Sequence, residues 1–236
     1  MQVALFTSCL TEAFAPRALR ACVLVLEKLG CEVVFPQAQT CCGQAHWNNG
    51  FRAQAEDLIA RMSAVFAPYS HVVTPSGSCA AMVRHHFAPA MAAKTFEFCE
   101  FVTRVLRADL RALAPRWPGT VACHDSCHAR EIGLAGAAAA MLQPLEGATI
   151  VPFAAAETCC GFGGLFATRY PQVSAALGRD KTAALAAATP TAVVSSDCGC
   201  ALHLDGLARR DGTPLRFTSA AEVLAEALGL LAREAS

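Results

Sequence analysis

The sequence predicts an α/β protein built twice over, and three observations carry that reading. The first is spacing: Cys9 and Cys127, Cys41 and Cys159, and Cys42 and Cys160 are each 118 residues apart, while Cys79 and Cys200 are 121 apart. A constant offset of this kind marks a tandem duplication, with three residues added late in the second copy. The second is local context. "QVALFTSC" is repeated by "TVACHDSC", "CEVVFPQAQTCCG" by "ATIVPFAAAETCCG", and "HVVTPSGSC" by "AVVSSDCGC". Each is a short apolar run closed by turn formers, the pattern of a buried parallel strand feeding a loop. The third is what lies between the runs, namely helical stretches at 17–29, 51–66 and 95–113 and again at 134–142, 171–187 and 220–232. Strand and helix in alternation give a parallel sheet with right-handed crossovers. The expectation is two tandem-duplicated Rossmann-like domains, 1–115 and 116–236, each a small sheet flanked by helices and joined through "LAPRWPG" at 113–119.

Composition narrows the function. The chain has 236 residues, 54% of them hydrophobic, enough for one large core or two small ones. Lys plus Arg and Asp plus Glu number 19 each, so no net field draws in nucleic acid or an anionic surface. No apolar run reaches the length of a bilayer span, and "MQVALFTSCL" lacks a basic segment ahead of a long apolar one. The expectation is a cytoplasmic protein that is not an integral membrane protein.

Thirteen cysteines in such a chain do not read as a disulfide framework, because the cytosol keeps thiols reduced and the count is odd. Cys22, Cys31 and Cys99 lie in apolar helix-like or strand-like stretches and are read as core residues. The repeated cysteines follow strand ends. In open α/β sheets ligands bind outside the carboxyl ends of the strands, and neighbouring strands lie about 4.8 Å apart. Each half therefore assembles four thiolates at one rim: Cys9, Cys41, Cys42 and Cys79, then Cys127, Cys159, Cys160 and Cys200. Four thiolates suit zinc or an iron–sulfur cluster.

The adjacent pairs favour the larger object, since successive side chains of an extended segment diverge and do not readily close on one small tetrahedral ion. Gly43 and Gly161 follow the pairs and permit a sharp turn at positive φ. Gly163 and Gly164 offer further N–H groups toward cluster sulfides, and His124 and His128 flank Cys127 as hydrogen-bond donors to thiolate or sulfide. Cys123 and Cys198 have no counterpart in the first copy and are read as packing or outer groups, with spare ligands as the alternative. His85 and His86 are read as surface residues, and "LAGAAAAML" as a closely packed helix. No G-x-G-x-x-G follows a strand, which leaves nucleotide chemistry unsupported.

The double pattern of Cys, long gap, Cys-Cys-Gly, long gap, Cys resembles the cysteine-rich "CCG" domains of heterodisulfide reductase and of the glycolate oxidase iron–sulfur subunit. "CCGQAHWNNG", "PSGSCAAMVRHH", "HDSCHARE" and "ETCCGFGGLFATRYPQVSAALGRDK" resemble more closely the signature stretches of the lactate utilisation protein A family, over nearly the entire chain. The resemblance implies two iron–sulfur clusters, of the [4Fe–4S] kind in cubane or non-cubane form. It also implies a ferredoxin-like iron–sulfur partner subunit and a third small subunit, acting together to oxidise L-lactate to pyruvate. The sequence departs from the heterodisulfide reductase pattern at Ser76 and Asp197, where that pattern has a fifth cysteine. Ordinary four-thiolate cubanes, or non-cubane clusters with an oxygen ligand or an open iron, are both compatible. Three functions follow: an electron-transfer subunit, a thiol or disulfide reductase subunit of the heterodisulfide reductase type, and a structural zinc scaffold, which the adjacent cysteines disfavour.

Overall fold

The computed structural model describes residues 1–233. The first half runs β1 (Gln2–Leu5), α1 (Cys9–Phe14), α2 (Pro16–Lys28), β2 (Glu32–Val34), α3 (Gln44–Asn48), α4 (Arg52–Phe66), β3 (Val72–Thr74), α5 (Gly77–His86), α6 (Pro89–Ala92), β4 (Thr95–Glu97) and α7 (Phe98–Glu100). A π-helical turn, Phe101–Val105, continues α7. The second half runs β5 (Arg116–His124), α8 (Cys127–Glu131), α9 (Ala137–Leu142), β6 (Glu146–Ile150), α10 (Leu165–Arg169), α11 (Pro171–Ala187), β7 (Ala192–Ser195), α12 (Cys198–Arg210), β8 (Phe217–Thr218) and α13 (Ala220–Ala227).

All strand pairings are parallel, in the order β2-β1-β3-β4 and β6-β5-β7-β8. The two sheets correspond strand for strand, as the 118-residue offset requires. The structure is therefore α/β with two four-stranded parallel sheets flanked by helices.

Three sequence expectations are corrected. The stretch 95–113 is not one helix, because β4 occupies Thr95–Glu97 and Glu97 then caps α7 by accepting from Cys99 N and Glu100 N. The fourth strand of each sheet is only two or three residues long, too short to show a period. The segment 113–119 is not a free connector, since β5 already begins at Arg116 and pairs with Glu146 of β6. The last helix ends at Ala227 rather than 232.

Each sheet is buried on both faces, and the alternation along each strand shows how. Val3, Leu5 and Val73 of the first sheet, and Val121, Ala192 and Val194 of the second, share one core with Leu26, Phe98, Phe101, Trp117, Met141 and Leu224. Their neighbours in sequence face the other way. Ala4, Phe6 and Val72 pack with Cys42, Cys79 and Met62, while Ala122 and Val193 pack with Cys160, Cys200 and Leu204. Strands apolar at every position are what this two-sided burial demands. The inner face of each sheet joins a core common to both halves, and the outer face underlies that half's cysteines.

The helices seal the junction in reciprocal pairs, with α2 on α13 and α9 on α7, and α1 on α12 and α5 on α8. A buried carboxylate reinforces it. Glu226 accepts from Arg17 Nη2 at 3.0 Å, Arg216 Nη2 at 3.1 Å and Trp117 Nε1 at 2.9 Å, joining α2 to the second half. Removing one partner of a buried charged network leaves the others uncompensated, and Glu226→Ala is expected to destabilise the fold by about 3–5 kcal/mol. With the core shared, urea unfolding followed by fluorescence is expected to stay a single transition in wild type and variant; two resolved transitions would show that the halves unfold separately.

Candidate metal centres

The repeated cysteines converge, four in each half. In the first half Cys9 opens α1, Cys41 and Cys42 lie in the loop after β2, and Cys79 sits in the first turn of α5. Cys9 Sγ is 3.7 Å from Cys41 Sγ, and the Cys42 thiol makes hydrogen-bonding contact with both Cys41 and Cys79. In the second half Cys127 opens α8, Cys159 and Cys160 follow β6, and Cys200 lies in the first turn of α12. Cys160 Sγ is 3.0 Å from Cys200 Sγ, and Cys159 contacts both Cys127 and Cys160. All eight are free thiols, with Cys42, Cys79, Cys160 and Cys200 buried and Cys9, Cys127 and Cys159 exposed. Each set thus runs from a buried floor to an open rim.

Crowding of the sulfurs splits their acidities. Hydrogen bonds from the Cys42 and Cys9 thiols, with a further one from Gly43 N–H, hold Cys41 down to about 2. Donation from Cys127 and Cys160, and then from Gly161 N–H, holds Cys159 likewise down to about 2. Their neighbours Cys9, Cys42, Cys127 and Cys160 are pushed far up, chiefly because each donates to a partner sulfur or sits beside one. A set in which one thiol is acidified by its neighbours has the chemistry to receive a cation that displaces the protons.

The glycines after the pairs have a steric role. Gly43 has φ 86° and Gly161 φ 88°, and their N–H groups lie 3.4 and 3.3 Å from the sulfurs of Cys41 and Cys159. A Cβ on Gly161 would run into the carbonyl oxygen of Ser174, whereas one on Gly43 would stand 3.3 Å from that of Ala55. Gly163 and Gly164 also have positive φ and lead into α10.

Ser76 and Asp197 are both engaged in hydrogen bonds. They cap the equivalent helices α5 and α12, Ser76 accepting from Cys79 N and Asp197 from Gly199 N. They also meet across the junction, where Ser76 Oγ donates to Asp197 Oδ2 at 3.2 Å and Ser78 N donates to the same oxygen at 2.8 Å. Cys198 donates to the Leu10 carbonyl of the other half at 3.6 Å, and burial pushes its thiol up to about 12. Cys123 packs against the shared core, on the face of β5 opposite His124. Cys22, Cys31 and Cys99 are buried, as expected of core residues.

The histidines divide. His85 lies 3.5 Å from Glu131, and the His86 ring packs at a tilt on Trp47 with centroids 4.0 Å apart and Arg52 over the same ring at 3.9 Å, a surface arrangement. His128 Nδ1 is 3.7 Å from Cys127 Sγ. His124 is different in kind. It is 2% exposed, neither ring nitrogen has a hydrogen-bond partner, and its ligand atom lies with Cys160 Sγ and Cys200 Sγ in a group whose members are all within 4.8 Å of one another. Burial, then the charges of Lys181 and Arg130, push it down to about 4, so the imidazole is neutral with one N–H and one lone pair to offer. Orphaned buried nitrogens beside four thiols fit a bound thiolate-liganded metal group.

Sequence reasoning missed Lys181. Its side chain is fully buried, its ammonium donates to the carbonyls of Ala155 and Ala156, and it lies 5.3 Å from the centre of the Phe153 ring. Burial, then Arg130, pull it below the usual lysine range, against the Cys160, Cys159 and Cys200 sulfurs that act to raise it. A lysine within an alanine-rich helix gives no local sign of this; only its alignment with Met62 would have.

Residues 3–84 and 121–205 match the CCG cysteine-rich domain family, so the domain occurs twice. The chain is 38% identical to lactate utilization protein A of Geobacillus kaustophilus strain HTA426 over 237 aligned positions, covering 95% of this chain and 98% of that one. It is 37% identical to the protein of that name from Geobacillus thermodenitrificans strain NG80-2 and 36% to that from Exiguobacterium sp. strain ATCC BAA-1283 / AT1b, again over 95% of this chain, with 98% and 97% of those chains covered. The chain belongs to the lactate utilization protein A family. The relatives match it across both halves, so membership covers both thiol sets.

The two glycines separate a steric demand from a shared one. Both need positive φ, but only at Gly161 does backbone block the added Cβ. Gly161→Ala is expected to lower stability by about 1–3 kcal/mol more than Gly43→Ala, measured by denaturant titration of the metal-free protein. Equal effects would show that the loop after β6 relaxes freely.

Proposed function

We propose that each half, 1–115 and 116–236, carries one iron–sulfur cluster, and that the chain is an electron-transfer subunit of an L-lactate-oxidising assembly in the cytoplasm. The observation that carries this reading is the twice-built set of four converging thiols, in a chain whose relatives are named for lactate utilization. Cys9, Cys41, Cys42 and Cys79 would hold the first cluster, and Cys127, Cys159, Cys160 and Cys200 the second. When bound, such a cluster supplies one-electron redox chemistry at a potential set by its ligands, hydrogen bonds and burial.

The chain's own residues have separable roles in this reading. Cys42, Cys79, Cys160 and Cys200 form a floor from which water is excluded, and the rim cysteines leave one side open to an electron partner. Gly43 and Gly161 donate N–H groups to sulfur, while His124 and His128 stand ready to do the same in the second half. Ser76 and Asp197 fix the first turns of α5 and α12, and with them Cys79 and Cys200. Because both are engaged as caps, the reading favours four thiolates per site over a fifth, oxygen ligand. The partners in the assembly would be a ferredoxin-like iron–sulfur subunit and a third small subunit.

Protein purified without oxygen is expected to be brown and to contain iron and acid-labile sulfide for two multi-iron clusters; stoichiometric zinc without sulfide would establish the structural alternative. Cys42→Ala and Cys160→Ala are each expected to retain about half of the iron, since sites without shared ligands behave nearly independently. Loss of all iron from both single variants would mean one site shared between the halves.

The sequence contains no flavin or nicotinamide signature, and lactate oxidation therefore needs other subunits. The isolated chain is expected not to reduce a dye with L-lactate, and to support dye reduction when combined with its partners. Turnover by the isolated chain would locate the catalytic centre here.

A further inference from the structure

The two thiol sets are built on equivalent elements but are lined differently. The 118-residue offset that pairs Cys9 with Cys127 pairs Phe6 with His124. The glycine contacts extend the alignment into the following helix, because Gly43 faces Ala55 and Leu58 where Gly161 faces Ser174 and Leu177. That offset of 119 pairs Met62 with Lys181. The first site is thus floored by Phe6 and Met62, both buried in an apolar cluster with Cys42 and Cys79. In the second, the same two positions hold His124, whose imidazole is buried against Cys160 and Cys200, and Lys181, a buried side chain whose ammonium donates to Ala155 and Ala156 in the loop that leads into Cys159 and Cys160.

The surrounding charges do not cancel this difference. In the first site His46 acts on Cys41 from a half-buried position in α3, and Phe6 and Met62 present no charge or N–H. In the second, Asp125 is engaged by Gly136 N at 2.8 Å, Glu157 is exposed, and two cations, Lys181 and Arg130, meet at the Ala156 carbonyl of the loop before Cys159, at 3.0 and 3.3 Å. A positive charge and an N–H donor beside a group that gains an electron stabilise its reduced form, and do so more strongly in a dry interior than at a wet surface.

Resting on the two-cluster reading above, we propose that His124 and Lys181 hold the second site at a higher reduction potential than the first, so that electrons pass through the chain from the amino-terminal half to the carboxyl-terminal half. The step moves one electron: the group in the first site is oxidised by one equivalent, the group in the second is reduced by one, and no bond or proton changes hands. The first site then faces the electron donor and the second the acceptor.

The test is an anaerobic potentiometric titration of the full chain, followed by visible absorbance and electron paramagnetic resonance, with iron and sulfide measured on every sample. Two separated waves are expected. Lys181→Gln keeps an amide to donate to the Ala155 and Ala156 carbonyls but removes the charge, and it is expected to shift the upper wave down while leaving the lower wave and the iron content unchanged. His124→Phe, which copies the first site, is expected to do the same, and Phe6→His to move the lower wave up. A merely structural role for these side chains would alter iron content or stability without moving one potential selectively. Protein that holds iron and sulfide for two clusters but titrates in one wave, or in which these variants move the lower wave or neither, overturns this inference and leaves the two-cluster reading standing. Protein without iron or sulfide overturns both.

Discussion

Burial of both faces of both sheets is the constraint on which the rest of the molecule depends. A four-stranded parallel sheet needs cover on each side, and here the inner faces obtain it from a single core to which both halves contribute. The outer faces are covered by α4 and α5 in one half and α11 and α12 in the other, and it is under this second layer that the thiols collect. Alternating residues of β1 and its exit therefore serve different ends: Val3 and Leu5 hold the halves together, whereas Ala4 and Phe6 shape a site.

The junction also ties together the helices that carry Cys79 and Cys200. Cys79 and Cys200 stand in the first turns of helices whose caps, Ser76 and Asp197, are hydrogen-bonded to each other. An aspartate that satisfies N–H groups on its own helix and on the opposite one fixes both termini at once, and charge-assisted bonds of this type are stronger than neutral ones. These are the two positions at which the chain departs from the five-cysteine pattern. Their use as a clasp gives the departure a physical reason: an acceptor and a donor, in place of two thiols, let the duplicated helices lock across the junction.

Duplication gives two sites the same backbone, and side chains then differentiate them. The thiols, the cysteine-following glycines and the helix caps recur, because geometry at the strand ends requires them. The floor positions are free of that requirement and differ, with Phe6 and Met62 in one half and His124 and Lys181 in the other. Burying an imidazole and an ammonium without full compensation costs stability. In the two-cluster reading proposed above, that cost falls where both groups would act on a bound redox group.

The sequence by itself determined the duplication, the class of fold and the eight converging cysteines, because each of these is written in spacing. A parallel strand leaves an apolar run, its loop leaves turn formers, and a repeated offset survives any detail of packing. The two-residue β8 and three-residue β4 left no such trace, and β4 hides inside what reads as one long helix. Nor could spacing separate Cys198 from Cys200: two residues apart on α12, one points to the Leu10 carbonyl and the other to Cys160, a difference set by the packing of α1 on α12. The shared core, the Ser76 and Asp197 clasp and the burial of Lys181 beside the second thiol set were decided only by the tertiary structure. Each depends on which residues distant in sequence meet in a dry interior, where an unpartnered charge or nitrogen matters most.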